Sequence, residues 1–252
     1  MQKNGAIGIF DSGVGGLSTL LEIKKKLPKE SYIYLADQKN LPYGEKSKKQ
    51  LEKITAKVVK FFVEKNVKMV VVACNTATCL ALEHLRNNFD IPIVGVVPAV
   101  KTAASVTKNS KIAVLCTPTT AKSTYLDDLI GNFAKNKNVL KVPCPGLSET
   151  LENKNIKLAS ALLKQYLKLI EDFGADVVVL GCTHYPLVKR QIKEILGNGI
   201  KVIDANSRIA ARVVQILKVA KCFPQKKSED EYFTTADPKA FSKAATYFLN
   251  RK

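Results

Sequence analysis

Residues 71–76 read VVACNT and residues 179–184 read VLGCTH, so two short apolar runs each end at a cysteine. The two cysteines, Cys74 and Cys182, lie 108 residues apart. Residues 7–12 (IGIFDS) match residues 112–117 (IAVLCT) at a similar offset of 105. Two diverged halves of about 105 residues explain these matches better than chance does. The chain therefore contains an internal repeat.

Short apolar runs alternate with longer amphipathic segments, a pattern typical of parallel α/β sheets. We therefore predict an α/β fold of two similar parallel-sheet lobes, with a ligand site between them. Two of the amphipathic segments, 48–65 and 156–173, are predicted to be helices. The predicted strands are residues 7–10, 32–36, 69–73, 91–96, 111–115, 139–142, 176–180 and 201–203.

The repeat also predicts how the chain is divided. Residues 99–206 form the second lobe, and residues 1–98 together with 207–252 form the first. The tail from about Ser207 is predicted to carry a helix, a strand at 233–235 and a last helix that pack back on the first lobe.

The formal net charge of the 252-residue chain is +18, which raises the possibility of a nucleic-acid partner. The charge comes mostly from 35 lysines against 5 arginines, and the lysines are dispersed along the chain. Dispersed lysine is more typical of a solvated surface than of a groove reader, so no nucleic-acid partner is expected. Such a surface can still steer an anionic small substrate toward a cleft.

The sequence favours a cytoplasmic protein without a membrane partner. No apolar run reaches the roughly 18 residues that cross a bilayer, and residues 1–5 do not begin a signal peptide. The six cysteines show no CxxC spacing, and there are only two histidines. We therefore expect neither a disulfide framework nor a metal site, and no lysine lies in a recognisable cofactor motif. We therefore predict that the protein is active without a cofactor.

Cys74 and Cys182 are predicted to lie where strands end, which is the ligand-binding edge of a parallel sheet. A helix that begins there would lower the pKa of each thiol, and the hydroxyls of Thr76 and Thr183 could hold an anion. Two thiols on opposite sides of a carbon can invert it, one removing a proton and the other delivering one. A free cysteine is more often a small buried hydrophobe, but the duplicated context favours chemistry here. The other cysteines have no twin and are expected to be structural: Cys79, Cys116, Cys144 and Cys222.

Other polar residues are predicted to reach the same cleft. Asp11, Ser12 and Asp37 follow strands, and the loop at 41–44 could offer the Tyr43 hydroxyl and the Gly44 N–H. Two further candidates belong to the second half: Glu152 and His184. Carboxylates and imidazole near a thiol can orient it and assist proton movement.

Five segments resemble the glutamate racemases of the aspartate/glutamate racemase superfamily. They are residues 10–16, residues 36–37 with 42–44, residues 73–77, residues 181–186 and the tail at 234–238. The resemblance covers nearly the whole chain, and the paired cysteine motifs are highly specific. Aspartate racemases have a glutamate where this chain has His184, which favours glutamate as the substrate over aspartate.

The resemblance implies that Cys74 acts on D-glutamate and Cys182 on L-glutamate, assisted by Asp11, Glu152 and His184. It also implies a homodimer that supplies D-glutamate for peptidoglycan in a bacterial cytoplasm. Two departures are Cys116, where the family commonly has glycine, and Glu149, which competes with Glu152 for the family's glutamate. The implied substrate-binding residues are Asp11, Ser12, Tyr43, Gly44, Asn75, Thr76, Thr183 and His184.

Three alternatives stay open at this point. A nucleotide-dependent oxidoreductase is suggested by the GVGG run at 13–16 and by Asp37, but Ser18 stands where the last glycine of the fingerprint belongs. A basic scaffold that binds nucleic acid or protein would not be an enzyme. A racemase of another acidic amino acid, such as aspartate, is the nearest alternative.

Overall fold

Two separate sheets, each entirely parallel, organise the part of the chain that this computed structural model describes, residues 4–224 and 228–249. Most strands are buried apolar runs, because helices cover both faces of a parallel sheet. The strands are β1 (Ile7–Asp11), β2 (Tyr32–Ala36), β3 (Met69–Val72), β4 (Ile93–Gly95), β5 (Lys111–Cys116), β6 (Asn138–Pro143), β7 (Val177–Gly181), β8 (Lys201–Ile203) and β9 (Glu231–Thr234).

The strand orders confirm the repeat. The first sheet has the order β4-β3-β1-β2-β9, and the second has the order β6-β5-β7-β8. Read from its other edge, the second sheet runs β8-β7-β5-β6, which is the order β4-β3-β1-β2 shifted by four strands. The two-lobe α/β prediction is therefore confirmed. Predicted and observed strand ends differ by up to two residues, as at β4 and β9.

The helices follow the amphipathic segments. The predicted helix 156–173 has those bounds, and the predicted helix 48–65 ends one residue earlier. Ser47 begins the latter with a capping box, in which its side chain and that of Gln50 each accept from the other's backbone N–H. The helices are α1 (Leu17–Lys26), α2 (Lys48–Glu64), α3 (Asn75–Asn88), α4 (Val100–Val106), α5 (Pro118–Ala121), α6 (Thr124–Phe133), α7 (Leu147–Glu152), α8 (Ile156–Phe173), α9 (Lys189–Leu196), α10 (Asn206–Val219) and α11 (Pro238–Leu249).

The tail returns to the first lobe. Strand β9 pairs in parallel with β2, so that Thr234 lies opposite Ala36 at the carboxyl end of the sheet. Helix α10 packs on α1, and α11 contacts both α1 and β9. The boundaries near residues 98 and 207 stay a prediction.

One apolar cluster runs through both lobes. It joins Ile7 and Val71 of the first sheet to Ile112 and Val114 of the second, and it includes Val213 of α10. The lobes are thus packed together through apolar contacts, rather than joined only by a linker. No helix among the described residues is long and apolar enough to span a membrane.

A buried ion pair fixes the amino-terminal side of the first sheet. The Lys68 ammonium lies 2.5 Å from a Glu30 carboxylate oxygen, with side-chain exposures of 0% and 2%. The same ammonium donates to the carbonyl of Cys222, which ties the tail to β3. Removing one partner of such a pair leaves a buried charge without its counter-ion.

We expect Lys68→Met to lower the free energy of unfolding by about 3–5 kcal/mol, because Glu30 would stay buried without its counter-ion. Urea denaturation measures this change. Lys65→Met is the matched control, because the ion pair of Lys65 with Glu231 is exposed (37% and 47%) and should contribute less than about 1 kcal/mol. Equal effects of the two substitutions would contradict the prediction, and Glu30→Leu combined with Lys68→Met should recover much of the loss.

Candidate active site

Cys74 and Cys182 lie at the carboxyl ends of β3 and β7 and line the same cavity between the lobes. The cavity is almost closed, with about 10 Å³ of free space, which is room for roughly one water molecule. The cavity must therefore widen to admit an amino acid. The cavity is lined by Ser12, Leu41, Pro42, Tyr43, Gly44, Cys74, Asn75, Thr76, Thr117, Ser148, Cys182, Thr183 and His184.

Cys74 immediately precedes helix α3, as the sequence predicted. Its pKa is not lowered, however. Burial raises the pKa of the Cys74 thiol well above its ordinary value, and the nearby Asp11 carboxylate raises it further. A backbone N–H of Ala77 in the first turn of α3 opposes this shift without cancelling it. In the closed protein Cys74 is therefore a neutral thiol, which suits a proton donor.

Cys182 differs from the prediction in its local structure. A turn and a short 3-10 helix, Tyr185–Val188, follow it, and α9 begins only at Lys189. A helix N-terminus does not therefore face this sulfur as it faces Cys74. The sulfur instead contacts the imidazole of His184, whose Nδ1 lies 3.9 Å from Sγ of Cys182. The repeat correctly predicts that both cysteines follow strands, but their surroundings differ.

Glu152 and His184 form a buried pair beside Cys182. Nε2 of His184 lies 2.7 Å from Oε2 of Glu152, and the two side chains are 2% and 7% exposed. The other candidate, Glu149, instead accepts a hydrogen bond from the Ser148 hydroxyl. The geometry thus associates Glu152, and not Glu149, with the histidine.

This pair carries opposite shifts in pKa. Burial alone would lower the pKa of His184, but hydrogen bonds to Cys182 and Glu152, and the charges of both, raise it well above the ordinary value. Burial alone would raise the pKa of Glu152. The hydrogen bond and charge of His184 lower it, and so do hydrogen bonds from Val14 and Gln38 of the first lobe. The arrangement favours an imidazolium held between a carboxylate and a sulfur.

Asp11 ends β1 and is fully buried. Its Oδ2 accepts from the Gly16 N–H at 2.6 Å and from the Thr183 hydroxyl at 3.0 Å, so it too links the lobes. Its Oδ1 has no hydrogen-bond partner. Burial raises the pKa of Asp11, although the charge of His184 opposes this. An incompletely satisfied buried carboxylate of this kind marks a position for a reacting or binding partner.

Three hydroxyls meet where the lobes touch. Thr76 of the first lobe lies 2.9 Å from Thr117 and 3.2 Å from Thr120 of the second, measured between the Oγ1 atoms. The side chain of the neighbouring Asn75 is buried and its Oδ1 has no partner. An unpaired amide oxygen at the cavity wall can accept a hydrogen bond from a ligand's ammonium group.

The Tyr43 hydroxyl, predicted to face a ligand, is already engaged. It donates to Oδ2 of Asp37 at 2.6 Å, while Asn40 and Thr235 donate to the same carboxylate. Asp37 therefore holds the 37–44 loop in place, and Tyr43 lines the cavity with its hydroxyl already bonded to that carboxylate. The Gly44 carbonyl accepts from Thr119, which adds another contact between the lobes.

The glycine run at 13–16 serves the packing of the lobes. A Cβ at Gly13 would lie 2.3 Å from a Glu152 carboxylate oxygen, and one at Gly15 would lie 2.6 Å from Nδ1 of His184. The carboxylate and imidazole thus occupy the space that a pyrophosphate would need, and Asp37 is committed to its loop. These contacts argue against the nucleotide-binding alternative.

Two residues at this site were not selected from the sequence. Gln38, at the start of a short 3-10 turn, donates to Glu152, and Thr117 lines the cavity. A signal for Thr117 existed, because the repeat pairs it with Ser12 at the offset of 105. Nothing in the pattern around Gln38 indicated its role. No group of three or more histidine, cysteine, aspartate or glutamate side chains suited to a metal ion occurs within residues 4–224 and 228–249.

Two cysteines in one closed cavity between duplicated parallel-sheet lobes define a class of enzyme that inverts carbon centres by transferring protons between thiols. The model of the Asp/Glu/Hydantoin racemase family matches residues 15–213. The chain belongs to this family.

Similar proteins within this family are named as glutamate racemases. A glutamate racemase of Roseiflexus sp. (strain RS-1) is 44% identical over 215 residues, which cover 84% of this chain and 79% of the relative. The crystal structure of a glutamate racemase isoform from Bacillus anthracis superposes with a TM-score of 0.91 at 32% identity, covering 100% of this chain and 96% of that one. Glutamate racemase from Escherichia coli, solved with L-glutamate and the activator UDP-MurNAc-Ala, gives 0.85 at 34% identity, with coverage of 98% and 95%.

We expect Gly15→Ala to lower the turnover of glutamate, the substrate of these relatives, by roughly 10–100-fold, because the new methyl group displaces His184 or holds the lobes apart. Steady-state kinetics measure this loss. Gly131→Ala in α6 is the matched control, since a Cβ there meets nothing within 4 Å. Wild-type turnover by the Gly15 variant would show that this close approach has no catalytic consequence.

Proposed function

We propose that this chain interconverts L-glutamate and D-glutamate by proton transfer between Cys74 and Cys182, without a cofactor. The observation that carries the proposal is that both sulfurs line one closed cavity, each beside its own buried polar group. Family membership and relatives named as glutamate racemases support the same activity. A scaffold that binds nucleic acid or protein leaves this arrangement unexplained.

In the direction from L- to D-glutamate, Cys182 removes the α-proton and Cys74 delivers one to the opposite face. The imidazolium of His184, held by Glu152, stabilises negative charge on the sulfur of Cys182. Cys74 begins as a neutral thiol because burial and Asp11 raise its pKa. The closed cavity excludes bulk water, which would otherwise compete for the carbanion-like intermediate.

In the opposite direction Cys74 must act as the base. Asp11 is the buried carboxylate that influences it most, and its Oδ1 is free to accept a proton or a hydrogen bond. The first turn of α3 stabilises the thiolate that forms. Asp11 and the His184–Glu152 pair therefore serve the two cysteines in corresponding ways, although their chemistry differs.

Substrate binding is assigned to the remaining polar groups of the cavity. The unpaired Oδ1 of Asn75 suits the ammonium group of the substrate. The N–H groups at the start of α3 suit its carboxylates, and the Thr76 and Thr183 hydroxyls can join them by exchanging their present partners, Thr117 and Asp11. Ser12 and the Gly44 backbone complete the set, and His184 touches both the sulfur and the cavity.

The biological setting follows from the activity. D-glutamate is a building block of peptidoglycan, so we assign the enzyme to the cytoplasm of a cell that builds a wall. Its net charge of +18 favours the approach of an acidic substrate. A homodimer is proposed as its assembly, on the resemblance to the glutamate racemases.

The function is tested with enzyme dialysed against a chelator and given L-glutamate in D₂O. We expect D-glutamate to appear with deuterium at Cα, and aspartate to react about 10–200-fold more slowly, because the shorter substrate lacks one methylene. Chiral chromatography and mass spectrometry measure both. Activity that returns only with an added cofactor would contradict the cofactor-free proposal, and equal kcat/KM for aspartate would remove the specificity for glutamate.

Cys74→Ala and Cys182→Ala should each lower racemisation by about 10²–10⁴-fold, because inversion needs a base and an acid together. The double variant should be little worse than either single one, since the two residues act as a unit. Cys79→Ala, which removes a buried thiol farther along α3, is the control and should keep near-normal turnover.

Solvent exchange without inversion tests the assignment of faces. Residual deuterium exchange should persist on L-glutamate in Cys74→Ala and on D-glutamate in Cys182→Ala. Exchange into the opposite enantiomers would reverse the assignment. Near-normal racemisation by either single variant would refute the two-cysteine mechanism.

A further inference from the structure

We propose that Gln38 is a positioning residue for the Cys182 half of the site: from the first lobe it orients the Glu152 carboxylate that holds His184, so that the hydrogen bonds of Glu152 are complete only when the two lobes are in contact. This inference rests on the proposed function and deepens it. Gln38 touches neither sulfur and does not line the cavity, so any effect on turnover must pass through Glu152.

The carboxylate of Glu152 is held by three donors. Oε2 accepts from Nε2 of His184 at 2.7 Å and from the Val14 N–H at 2.9 Å. Oε1 accepts from the side-chain amide of Gln38. Glu152 ends α7 in the second lobe, whereas Val14 and Gln38 belong to the first. Two of the three hydrogen bonds therefore exist only in the closed arrangement.

The amide of Gln38 is held in one orientation. Oγ1 of Thr234 donates to Oε1 of Gln38 at 2.8 Å, and the same hydroxyl oxygen accepts from the Ala236 N–H. With its oxygen turned to Thr234, the amide must present its NH₂ group to Glu152, and an ionised carboxylate can only accept. Thr234 is the last residue of β9, so the returning tail anchors this contact.

The electrostatic consequence concerns Glu152 itself. Burial works against its charge, and His184, Val14 and Gln38 together lower its pKa despite that burial. The other ionisable groups that face it are Asp11 and Tyr34, and its charge raises the pKa of both. Removing Gln38 takes away one stabilising hydrogen bond, so the pKa of Glu152 must rise. A protonated Glu152 cannot stabilise an imidazolium at His184. When the solution is acidified, a variant without Gln38 should therefore lose activity at a higher pH than the wild type does.

Gln38→Met tests this, since it keeps the length of the side chain and removes both hydrogen bonds. We expect kcat for glutamate to fall about tenfold, as for the loss of one hydrogen bond to a charged group, with a smaller change in KM. The acid limb of the pH profile should move to higher pH. Gln191→Met is the matched control, because that glutamine bonds Ser160 away from the site, and it should change neither quantity.

Thr234 provides a second pair of variants. Thr234→Val removes the hydroxyl that orients Gln38 and should shift the profile in the same direction by less, whereas Thr234→Ser keeps the hydroxyl and should restore it. Thermal unfolding of each variant separates this effect from a general loss of stability.

A readout independent of activity completes the test. The chain has two histidines, so the ring nitrogen signals of His184 are identified by comparison with His84→Asn. Protonation of Glu152 at acid pH should appear as a shift of those signals, and the midpoint should move to higher pH in Gln38→Met.

The outcomes separate the two proposals. A wild-type enzyme that does not racemise glutamate overturns the proposed function, while a moved His184 midpoint would still support the role of Gln38. An active wild type, with Gln38→Met unchanged in pH profile and in midpoint, overturns the inference alone.

Discussion

The hydrogen bond between the Glu152 carboxylate and the His184 imidazole is the contact on which the closed site depends. Both groups are almost fully buried, and each stabilises the charge of the other. The pair is built within the second lobe, yet Val14 and Gln38 of the first lobe complete the carboxylate's hydrogen bonds. The glycine loop of the first lobe approaches the same two side chains closely. Glycine is required there because a Cβ at Gly13 would meet Glu152 and one at Gly15 would meet His184. The packing between the lobes and the electrostatics at the sulfur of Cys182 therefore depend on the same two side chains.

The two cysteines carry out equivalent proton transfers, but their surroundings differ. Racemisation requires each cysteine to act as acid in one direction and as base in the other. Cys74 has the start of a helix and a buried aspartate beside it, whereas Cys182 has an imidazole and no adjoining helix. Each sulfur therefore has a different neighbour for exchanging its proton. Gene duplication supplies two equivalent strand ends, and the residues that follow each strand have since diverged.

The closed cavity links the chemistry to movement of the lobes. Free space for about one water molecule excludes a bound glutamate, so substrate must enter an opened form. Contacts that would break on opening include Thr183 to Asp11, Thr76 to Thr117 and Thr119 to Gly44. All of them are hydrogen bonds between small polar side chains, or from such side chains to the backbone, which water can replace at modest cost. The apolar cluster shared by the lobes extends from Ile7 and Ile112, at the starts of β1 and β5, up to Ala73 and Cys116 beside the site.

The amino-acid pattern alone predicts the two-lobe α/β fold, the positions of Cys74 and Cys182 at strand ends, and several of the polar residues near them. It could do so because strands and helices have local periodicities and because the repeat marks equivalent positions. The packing of the chain was needed to pair Glu152 rather than Glu149 with His184 and to engage the Tyr43 hydroxyl with Asp37. It also raises the pKa of Cys74, where the helix alone predicted a lower one. Those outcomes depend on burial and on contacts that no local periodicity encodes: Glu152 pairs with His184, 32 residues further along the chain, and accepts from Gln38, 114 residues earlier. Local pattern carries no information about desolvation, which is why the site's electrostatics appeared only once the two lobes were packed together.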